Sequence, residues 1–456
     1  MDQNRWKPEL MIPKECIPMS KIVELGNVKL GTGRMPVICV PILAGGFAEV
    51  VHQAEAVQDS PADLTEFRAD YMDESSFINA YTLKKTMEAV RRILPKRPMI
   101  FTLRTSTEGG EAAVEDQDYE KVCSQAIESG FAEAVDVEFS HAPEVVSRLI
   151  GHAHSHGVKV IVSSHDFGST PDAAAMVEKM RQMEKTGADI VKMAVMPQND
   201  HDVTEVFRAG EELKTSLNVP FIMISMGEKG SMTRFAGEQS GSVLTFGTAG
   251  RSSAPGQIRA DDLDRALRII HNSRRPFPKK RMDDTRNIIL GGFMGAGKSS
   301  TAEKIARYSE LEVVEMDAMI EEREGMSIPE IFEKHGEEYF RSAEEAVCRE
   351  ISDRSGVVVS TGGGTLMRKS NVDLLRNNGV IVVMEASPDV TLDRLIKSGV
   401  ERPLLKDHMN RGYISWLMKQ RQEAYEEAAD LCLDVSHMTP GAAAVKILSL
   451  TGFIPG

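Results

Sequence analysis

Cysteine is scarce and scattered. Five residues, Cys16, Cys39, Cys123, Cys348 and Cys432, are spread over 456 positions and form no Cys-x-x-Cys pair. That spacing argues against a zinc site or a disulfide framework and fits a reducing compartment. Basic residues are outnumbered, 54 Lys and Arg against 68 Asp and Glu, and the net charge of −14 argues against nucleic acid as a general partner. There is no long apolar run. Residues 35–51 are weakly charged but broken by Pro36, Pro41, Gly45 and Gly46, so they cannot span a bilayer as a helix. The opening Met-Asp-Gln-Asn-Arg-Trp-Lys-Pro is no signal peptide. No internal repeat or low-complexity tract is present. A cytoplasmic protein without a membrane partner is expected.

What the sequence does contain is a phosphate loop. Residues 292–299 read Gly-Phe-Met-Gly-Ala-Gly-Lys-Ser, directly after the apolar run Ile288-Ile289-Leu290. Glycine, four residues, then Gly-Lys-Ser opening a helix is the P-loop pattern. Its glycines let backbone N–H groups curl around phosphates, and the helix start adds partial positive charge. Gly292, Gly295, Ala296, Gly297, Lys298, Ser299 and Ser300 are the expected ATP contacts. Lys298 would reach the β/γ-phosphates and Ser299 would ligate Mg²⁺. A P-loop normally opens its domain, yet this one starts near residue 290, so a second machine is expected upstream.

Residues 272–286 hold two prolines amid charges and lack apolar periodicity. They read as a linker between domains 1–271 and 287–456, with residues 1–30 unassigned. Before the linker, eight β-like runs alternate with amphipathic stretches: 37–41, 63–68, 99–104, 134–139, 158–165, 189–195, 220–226 and 242–246. Eight β/α units in this length predict a (βα)8 TIM barrel. After the linker, runs at 287–290, 313–314, 356–360 and 380–385 predict a small α/β P-loop domain with a parallel sheet.

Catalytic groups in such a barrel gather at the C-terminal strand ends. Glu66 and Arg68 end the second run. Arg104 ends the third, and Glu108 follows. His165 ends the fifth, Lys192 sits inside the sixth, and Arg234 follows the seventh. A lysine inside an apolar strand is costly to bury as a cation. Burial and nearby cations would favour its neutral, nucleophilic amine. The bland alternative is a lysine that snorkels to solvent. His165 is the matching acid–base candidate, or else a packed core histidine. Glu66, Arg68 and Arg104 are substrate contacts or a structural ion-pair layer. Lysine, histidine and three arginines at one mouth favour a Schiff-base enzyme acting on an anionic carbonyl compound.

Thr65-Glu66-Phe67-Arg68-Ala69-Asp70, Phe101-Thr102-Leu103-Arg104 with Glu108-Gly109-Gly110, Ser164-His165-Asp166-Phe167, Val191-Lys192-Met193-Ala194 and Ser253-Ala254-Pro255-Gly256-Gln257 together resemble type I 3-dehydroquinate dehydratase, in family order across residues 35–270. The resemblance implies that Lys192 forms an imine with 3-dehydroquinate, without any cofactor. It implies that His165 moves the protons and Glu108 holds His165. Arg234 would grip the carboxylate, Ser253 and Gln257 would lie on a closing lid, and Glu66, Arg68 and Arg104 would address the hydroxyls and ring. The product would be 3-dehydroshikimate.

Downstream of the P-loop come Glu315-Met316-Asp317, Tyr339-Phe340-Arg341 with Glu344, Thr361-Gly362-Gly363-Gly364, Arg402-Pro403-Leu404-Leu405, and Arg421 with Tyr425. In this order they resemble shikimate kinase over residues 287–450. The resemblance implies that Asp317 binds the shikimate hydroxyls and acts as base, and that Arg341 and Arg421 hold the carboxylate. Gly362, Gly363 and Gly364 would let the backbone approach the substrate, Arg402 would come in with a lid, and Pro440 would lie at the adenine edge. Pro440 is equally well read as a proline at a helix start. Glu315 stands where the family usually has aspartate, which leaves its Mg²⁺ role open.

A bifunctional shikimate-pathway enzyme is therefore expected, acting on 3-dehydroquinate, shikimate and ATP. A shikimate dehydrogenase on another chain must act between the two steps. The resemblance also allows a homodimer through the barrel. The enzymatic alternative is a class I aldolase-type barrel fused to another small-molecule kinase; the non-enzymatic one is a scaffold that has lost catalysis. His152, His154 and His156 look like a metal string. They fall at a helix end, where histidines suit the dipole, and no carboxylate partner is expected nearby.

Overall fold

The computed structural model describes residues 22–32, 35–43, 45–250, 253–273, 287–399, 405 and 409–453. The chain divides into two compact units, Met1–His271 and Asn272–Gly456.

The first unit opens with an antiparallel hairpin, β1 (Val23–Leu25) and β2 (Val28–Leu30). Eight parallel strands follow: β3 (Val37–Ile42), β4 (Leu64–Arg68), β5 (Met99–Thr102), β6 (Ala134–Glu138), β7 (Lys159–Asp166), β8 (Ile190–Val195), β9 (Phe221–Ser225) and β10 (Leu244–Thr248). Each predicted run is matched by a strand, with ends shifted by a few residues. Arg104 falls two residues past the end of β5, and β7 runs on through His165 to Asp166. Neighbours pair in chain order, and β10 pairs with β3. Val243 N–H donates to Phe221 O at 2.9 Å, and Val37 N–H donates to Val243 O at 3.0 Å. These bonds bring the β9 edge to β10 and close the sheet into a TIM-like barrel. A two-residue strand, β11 (Ile258–Arg259), pairs with β10 before the helix Ala260–Ser273.

The hairpin gives the early residues a role that the sequence left open. Val23, Leu25, Val28 and Leu30 are buried in one apolar cluster with Cys39, Leu64, Ile100, Ala134, Ile161, Ile190, Ile222 and Leu244. Those partners are side chains from all eight barrel strands. The hairpin therefore stoppers the barrel and leaves the C-terminal strand ends to form the site.

The second unit is a five-stranded parallel sheet in the order β13–β14–β12–β15–β16. Its strands are β12 (Asn287–Gly291), β13 (Glu312–Glu315), β14 (Val357–Ser360), β15 (Gly379–Glu385) and β16 (Leu431–Asp434). The inner runs Ile-Ile-Leu, Val-Val-Val and Val-Ile-Val-Val are buried throughout, as expected of a parallel sheet covered on both faces. β16 is an addition to the four strands predicted. The P-loop joins β12 to the helix Lys298–Tyr308. Asn272 and Ser273 of the expected linker end the helix Ala260–Ser273, and residues 274–286 lie outside the described residues.

Leu25 is fully buried in the stopper. Leu25→Ala should destabilise the first unit by about 2–5 kcal/mol through lost burial and a residual cavity. Calorimetry of the whole chain should show the barrel transition move while the second unit's does not.

Candidate active sites

The barrel mouth is a layer of buried ions. Lys192 points from β8 into the barrel, and its Nζ lies 3.0 Å from Asp136 Oδ2 and 3.8 Å from Glu66 Oε1. It also sits 4.7 Å from the centre of the Phe246 ring. Lys192 is thus buried rather than snorkelling, but its nearest charged partners are anions, not the cations expected from the sequence. Asp136 and Glu138 supply that negative charge from β6, where the strand reads Ala-Val-Asp-Val-Glu.

Arg104 completes the layer. Its Nη2 donates to Asp136 Oδ1 at 2.8 Å, and its Nη1 donates to Glu138 Oε1 and Ser163 Oγ, both at 3.0 Å. Burial alone would push the Asp136 carboxyl up, but Arg104 and Lys192 more than offset this and hold it below its usual range. Arg68 forms a two-point ion pair with Asp70, at 2.8 and 2.7 Å. Glu66 accepts from Thr102 Oγ1 at 2.9 Å. Gly110 keeps the turn after Arg104 tight, since a Cβ there would stand 2.1 Å from Arg104 O.

His165 and Glu108 form the titrating pair. His165 Nδ1 lies 2.8 Å from Glu108 Oε2, and the same oxygen accepts the His165 backbone N–H at 3.0 Å. Ser140 Oγ donates to the other Glu108 oxygen at 2.7 Å. Burial and the neighbouring cations Arg104 and Lys192 push the His165 imidazole well below its ordinary value, which favours the neutral, basic form. Burial raises the Glu108 carboxyl to about 7, against the pull of Arg104.

Arg234 is the outlier. It is 1% exposed and, among the described residues, donates to the carbonyls of Phe246 at 3.4 Å and Pro255 at 3.2 Å, with no partner for its Nε. No carboxylate lies within ion-pair distance of it among the described residues. Burial without a counter-ion depresses its guanidinium to about 10. Glu66, Arg68, Arg104, Glu108, His165, Lys192, Arg234, Ser253 and Gln257 all line one cavity. Ser253 and Gln257 bond to each other, Gln257 Nε2 to Ser253 Oγ at 2.6 Å and Ser253 N–H to Gln257 Oε1 at 2.8 Å.

In the second unit two glycine loops meet at the C-terminal ends of adjacent strands β12 and β14. Gly292, Gly295 and Gly297 of the P-loop have φ of 131°, 79° and 91°. A Cβ at Gly292 would stand 2.3 Å from Met384 O. Lys298 Nζ donates to the carbonyls of Gly292 at 2.9 Å and Phe293 at 3.2 Å. Ser299 Oγ donates to Glu315 Oε2 at 3.0 Å and lies 3.1 Å from Ser360 Oγ. This hydroxyl–carboxylate pair is the kind of oxygen donor set that a hard divalent cation takes. Ala296 is buried, while Ser300 is exposed on the first turn of the helix.

The second loop, Gly362–Gly363–Gly364, is framed by the candidate substrate residues. Added Cβ atoms would lie 2.9 Å from Asp317 Oδ1 at Gly362 and 2.7 Å from Arg341 Nη1 at Gly364. Arg421 Nη1 and Tyr425 OH both donate to Gly363 O, at 3.0 and 2.6 Å. Buried Glu344 orients Arg341, bonding its Nη1 at 3.0 Å and Thr365 Oγ1 at 2.8 Å. Arg341 follows a break in the helix Ile328–Ser352, where Gly336 adopts φ 80°. Pro440 is the exposed first residue of the helix Pro440–Leu450, capped by Thr439. Arg402 lies outside the described residues.

The family model for type I 3-dehydroquinase matches residues 38–274. The chain belongs to that family. A 3-dehydroquinate dehydratase of Alkaliphilus oremlandii is 39% identical over 254 residues, 56% of this chain and 98% of that protein. A type I 3-dehydroquinate dehydratase structure from Clostridium difficile, with covalently modified comenic acid, is 35% identical, covers 56% of this chain and 99% of its own, and has a TM-score of 0.53. The family model for shikimate kinase matches residues 294–451. A shikimate kinase of Acinetobacter baumannii, solved in complex with shikimate, is 33% identical over 36% of this chain and 92% of its own, with a TM-score of 0.35. The chain is thus a type I dehydroquinase fused to a shikimate kinase, a lyase and a transferase in one polypeptide.

The candidate barrel site includes residues to which the sequence assigned no role: Asp136, Glu138, Ser140 and Asp70, the last present only as the end of a quoted motif. Asp136 and Glu138 carried the same signal as Lys192, an ionisable group in an apolar strand. In the kinase unit Ser360 was passed over, as was Arg394, whose Nη1 donates to Ala296 O at 3.2 Å. The histidine string is corrected. His154 Nε2 lies 2.8 Å from Asp189 Oδ2 and His152 Nε2 lies 3.1 Å from Glu128 Oε1, so carboxylate partners are present. These are separate pairs, and among the described residues no three ligating side chains gather around one point.

The raised Glu108 carboxyl has a consequence for stability. Its folded value lies above the usual glutamate value near 4.3, so the wild-type protein loses stability as pH rises from about 4.3 to about 7. Glu108→Gln cannot ionise. Its stability relative to wild type should grow across that window in denaturant titrations at pH 5 and pH 8.

Proposed function

We propose that the dehydroquinase unit dehydrates 3-dehydroquinate through an imine on Lys192 and that the kinase unit phosphorylates shikimate from ATP. The observation that carries the first reading is Arg234. A guanidinium buried without a carboxylate, in the same cavity as a buried lysine and a neutral histidine, suits a substrate that brings its own carboxylate.

The chemistry follows from the side chains. The Lys192 amine adds to the substrate ketone and loses water, forming a protonated imine. The iminium withdraws electrons and acidifies the neighbouring carbon. His165, held through Nδ1 by Glu108, presents Nε2 and removes that proton. The enamine then expels the β-hydroxyl, which His165 protonates to water. Hydrolysis frees 3-dehydroshikimate and regenerates Lys192. Glu66, Arg68 and Arg104 orient the ring, and Ser253 and Gln257 cover the cavity.

For the kinase unit the supporting feature is the apposition of the two glycine loops. The P-loop and Lys298 would hold the ATP phosphates, with Ser299 and Glu315 as the oxygen ligands of Mg²⁺, which supplies charge neutralisation for the transferring phosphoryl group. Arg341 and Arg421 take the shikimate carboxylate, and Asp317 takes the proton of the attacking hydroxyl. Pro440 edges the adenine. The dehydratase product is a ketone and the kinase substrate the corresponding alcohol, so a reductase on another chain must act between them. Among the described residues no helix is long and apolar enough to cross a membrane.

Borohydride added with 3-dehydroquinate should fix substrate mass on the peptide that carries Lys192 and abolish dehydration. Label elsewhere, or full activity in Lys192→Ala, would refute the imine assignment. In the kinase unit, Gly364→Ala drives a methyl group against Arg341. Titrations should show shikimate affinity weakened about tenfold, roughly 1.4 kcal/mol, with ATP affinity unchanged.

A further inference from the structure

His141 stands behind the dehydroquinase site and has no part in the chemistry just described. It follows β6 by three residues, and its side chain is 8% exposed. Nδ1 lies 2.7 Å from Asp116 Oδ1, and Nε2 lies 3.4 Å from Glu138 Oε2. Asp116 and Glu138 are the charged groups that face the ring, and Tyr119 stacks on it with ring centres 3.7 Å apart. Nδ1 is hydrogen-bonded to Asp116, whereas Nε2 makes no hydrogen bond and meets Glu138 at ion-pair distance. A carboxylate on each side of the ring favours its protonated form.

Glu138 carries this charge inward. Its Oε1 is held by Arg104 Nη1 at 3.0 Å, and the same Nη1 lies 3.6 Å from Glu108 Oε2. Glu108 in turn holds His165 at 2.8 Å. A file of alternating charge therefore runs from Asp116, whose side chain is 45% exposed, through His141, Glu138 and Arg104 to Glu108, which holds the neutral His165. Glu138 and Glu108 compete for one guanidinium nitrogen. A cation on the far side of Glu138 relieves that competition. Tyr119, beneath His141, also accepts the Glu138 backbone N–H at 3.0 Å, so the same cluster holds the strand that bears Asp136 and Glu138.

We infer that His141 is a positioning residue of the dehydratase: as an imidazolium it offsets the charge of Glu138 and so keeps Glu108 ionised and accepting from His165 at neutral pH. The inference rests on the proposed roles of His165 and Glu108. If Glu108 becomes protonated it donates to His165 Nδ1, and the proton then sits on Nε2, where the base is needed. Burial, with Glu138 adding to it, already raises Glu108 to about 7, so a small further push falls within the working range. The two contacts likewise raise His141 against the effect of its burial.

The test is the pH profile of kcat/KM for dehydration by the full chain, in wild type, His141→Gln and Asp116→Asn. His141→Gln should move the acidic limb upward by about half a unit or more while the rate at high pH stays within about twofold. Asp116→Asn should move it the same way by less. Asp116 is at an exposed helix start, so this variant decides the matter if His141→Gln does not fold. Shikimate phosphorylation by the same samples should be unchanged. A limb that stays in place in the folded variants, whatever the plateau rate, overturns the inference, because a merely structural role lowers the rate without moving the limb. A wild-type chain that turns over with no acidic limb near neutral pH overturns it too. A wild-type chain that does not dehydrate 3-dehydroquinate at all overturns the underlying reading instead, and this one with it.

Discussion

Arg104 donates to Asp136 and Glu138, touches Glu108, and through Asp136 shares a carboxylate with Lys192. A buried ion is tolerated only when its charge is matched and its hydrogen-bonding groups are used. Here Arg104 lies among Asp136, Glu138 and Glu108, Lys192 lies between Asp136 and Glu66, and Asp136 lies between Arg104 and Lys192. Removing one member leaves its neighbours uncompensated in a medium that screens them poorly, a penalty of about 3–5 kcal/mol for a broken buried pair. The same network gives the two central residues opposite electrostatic settings. Lys192 sits beside anions, whereas His165 experiences the cations and stays neutral. One charge layer thus gives the proposed nucleophile and the proposed base different surroundings within one cavity.

The kinase unit solves a different problem, the approach of backbone to ligand. Its site has few buried ion pairs. It depends on glycines that put main-chain groups where side chains would stand, and on Glu344, which prevents Arg341 from folding away from the Gly364 backbone. Asp317, Arg341 and Arg421 reach one short loop from three separate helices. Crowding around this loop is as marked as its charge.

The fold was largely legible because both units obey simple periodicities. Eight apolar runs separated by amphipathic stretches leave little choice but a barrel, and Gly-x-x-x-x-Gly-Lys-Ser after an apolar strand specifies the second sheet. β16 escaped notice because it is short, at a sheet edge, and only partly buried. Lys192, His165 and Arg104 stood out because a charge in an apolar run is costly. Their counter-ions were harder to read, since Asp136 pairs with residues 32 and 56 positions away and nothing in local spacing announces such partners. The environment of Lys192 was misjudged for the same reason. Arginines are conspicuous at strand ends, whereas the two carboxylates of β6 lie inside an ordinary valine-rich strand.

The pairing of β10 with β3 joins residues about 200 positions apart, Phe246 against Cys39 among them. Until that last strand exists, β3 has one open edge and the hairpin stopper has an incomplete ring to plug. Contacts so distant in sequence are slow to form, because the chain must surrender the freedom of a long loop before the bonds repay it. On a ribosome the barrel therefore waits for residue 248 to emerge, while its earlier strands can pair only into an open sheet with sticky margins. At a few to about twenty residues per second, the 200-odd residues that follow take on the order of ten seconds or more to synthesise. That interval lets the first unit close before the second is released.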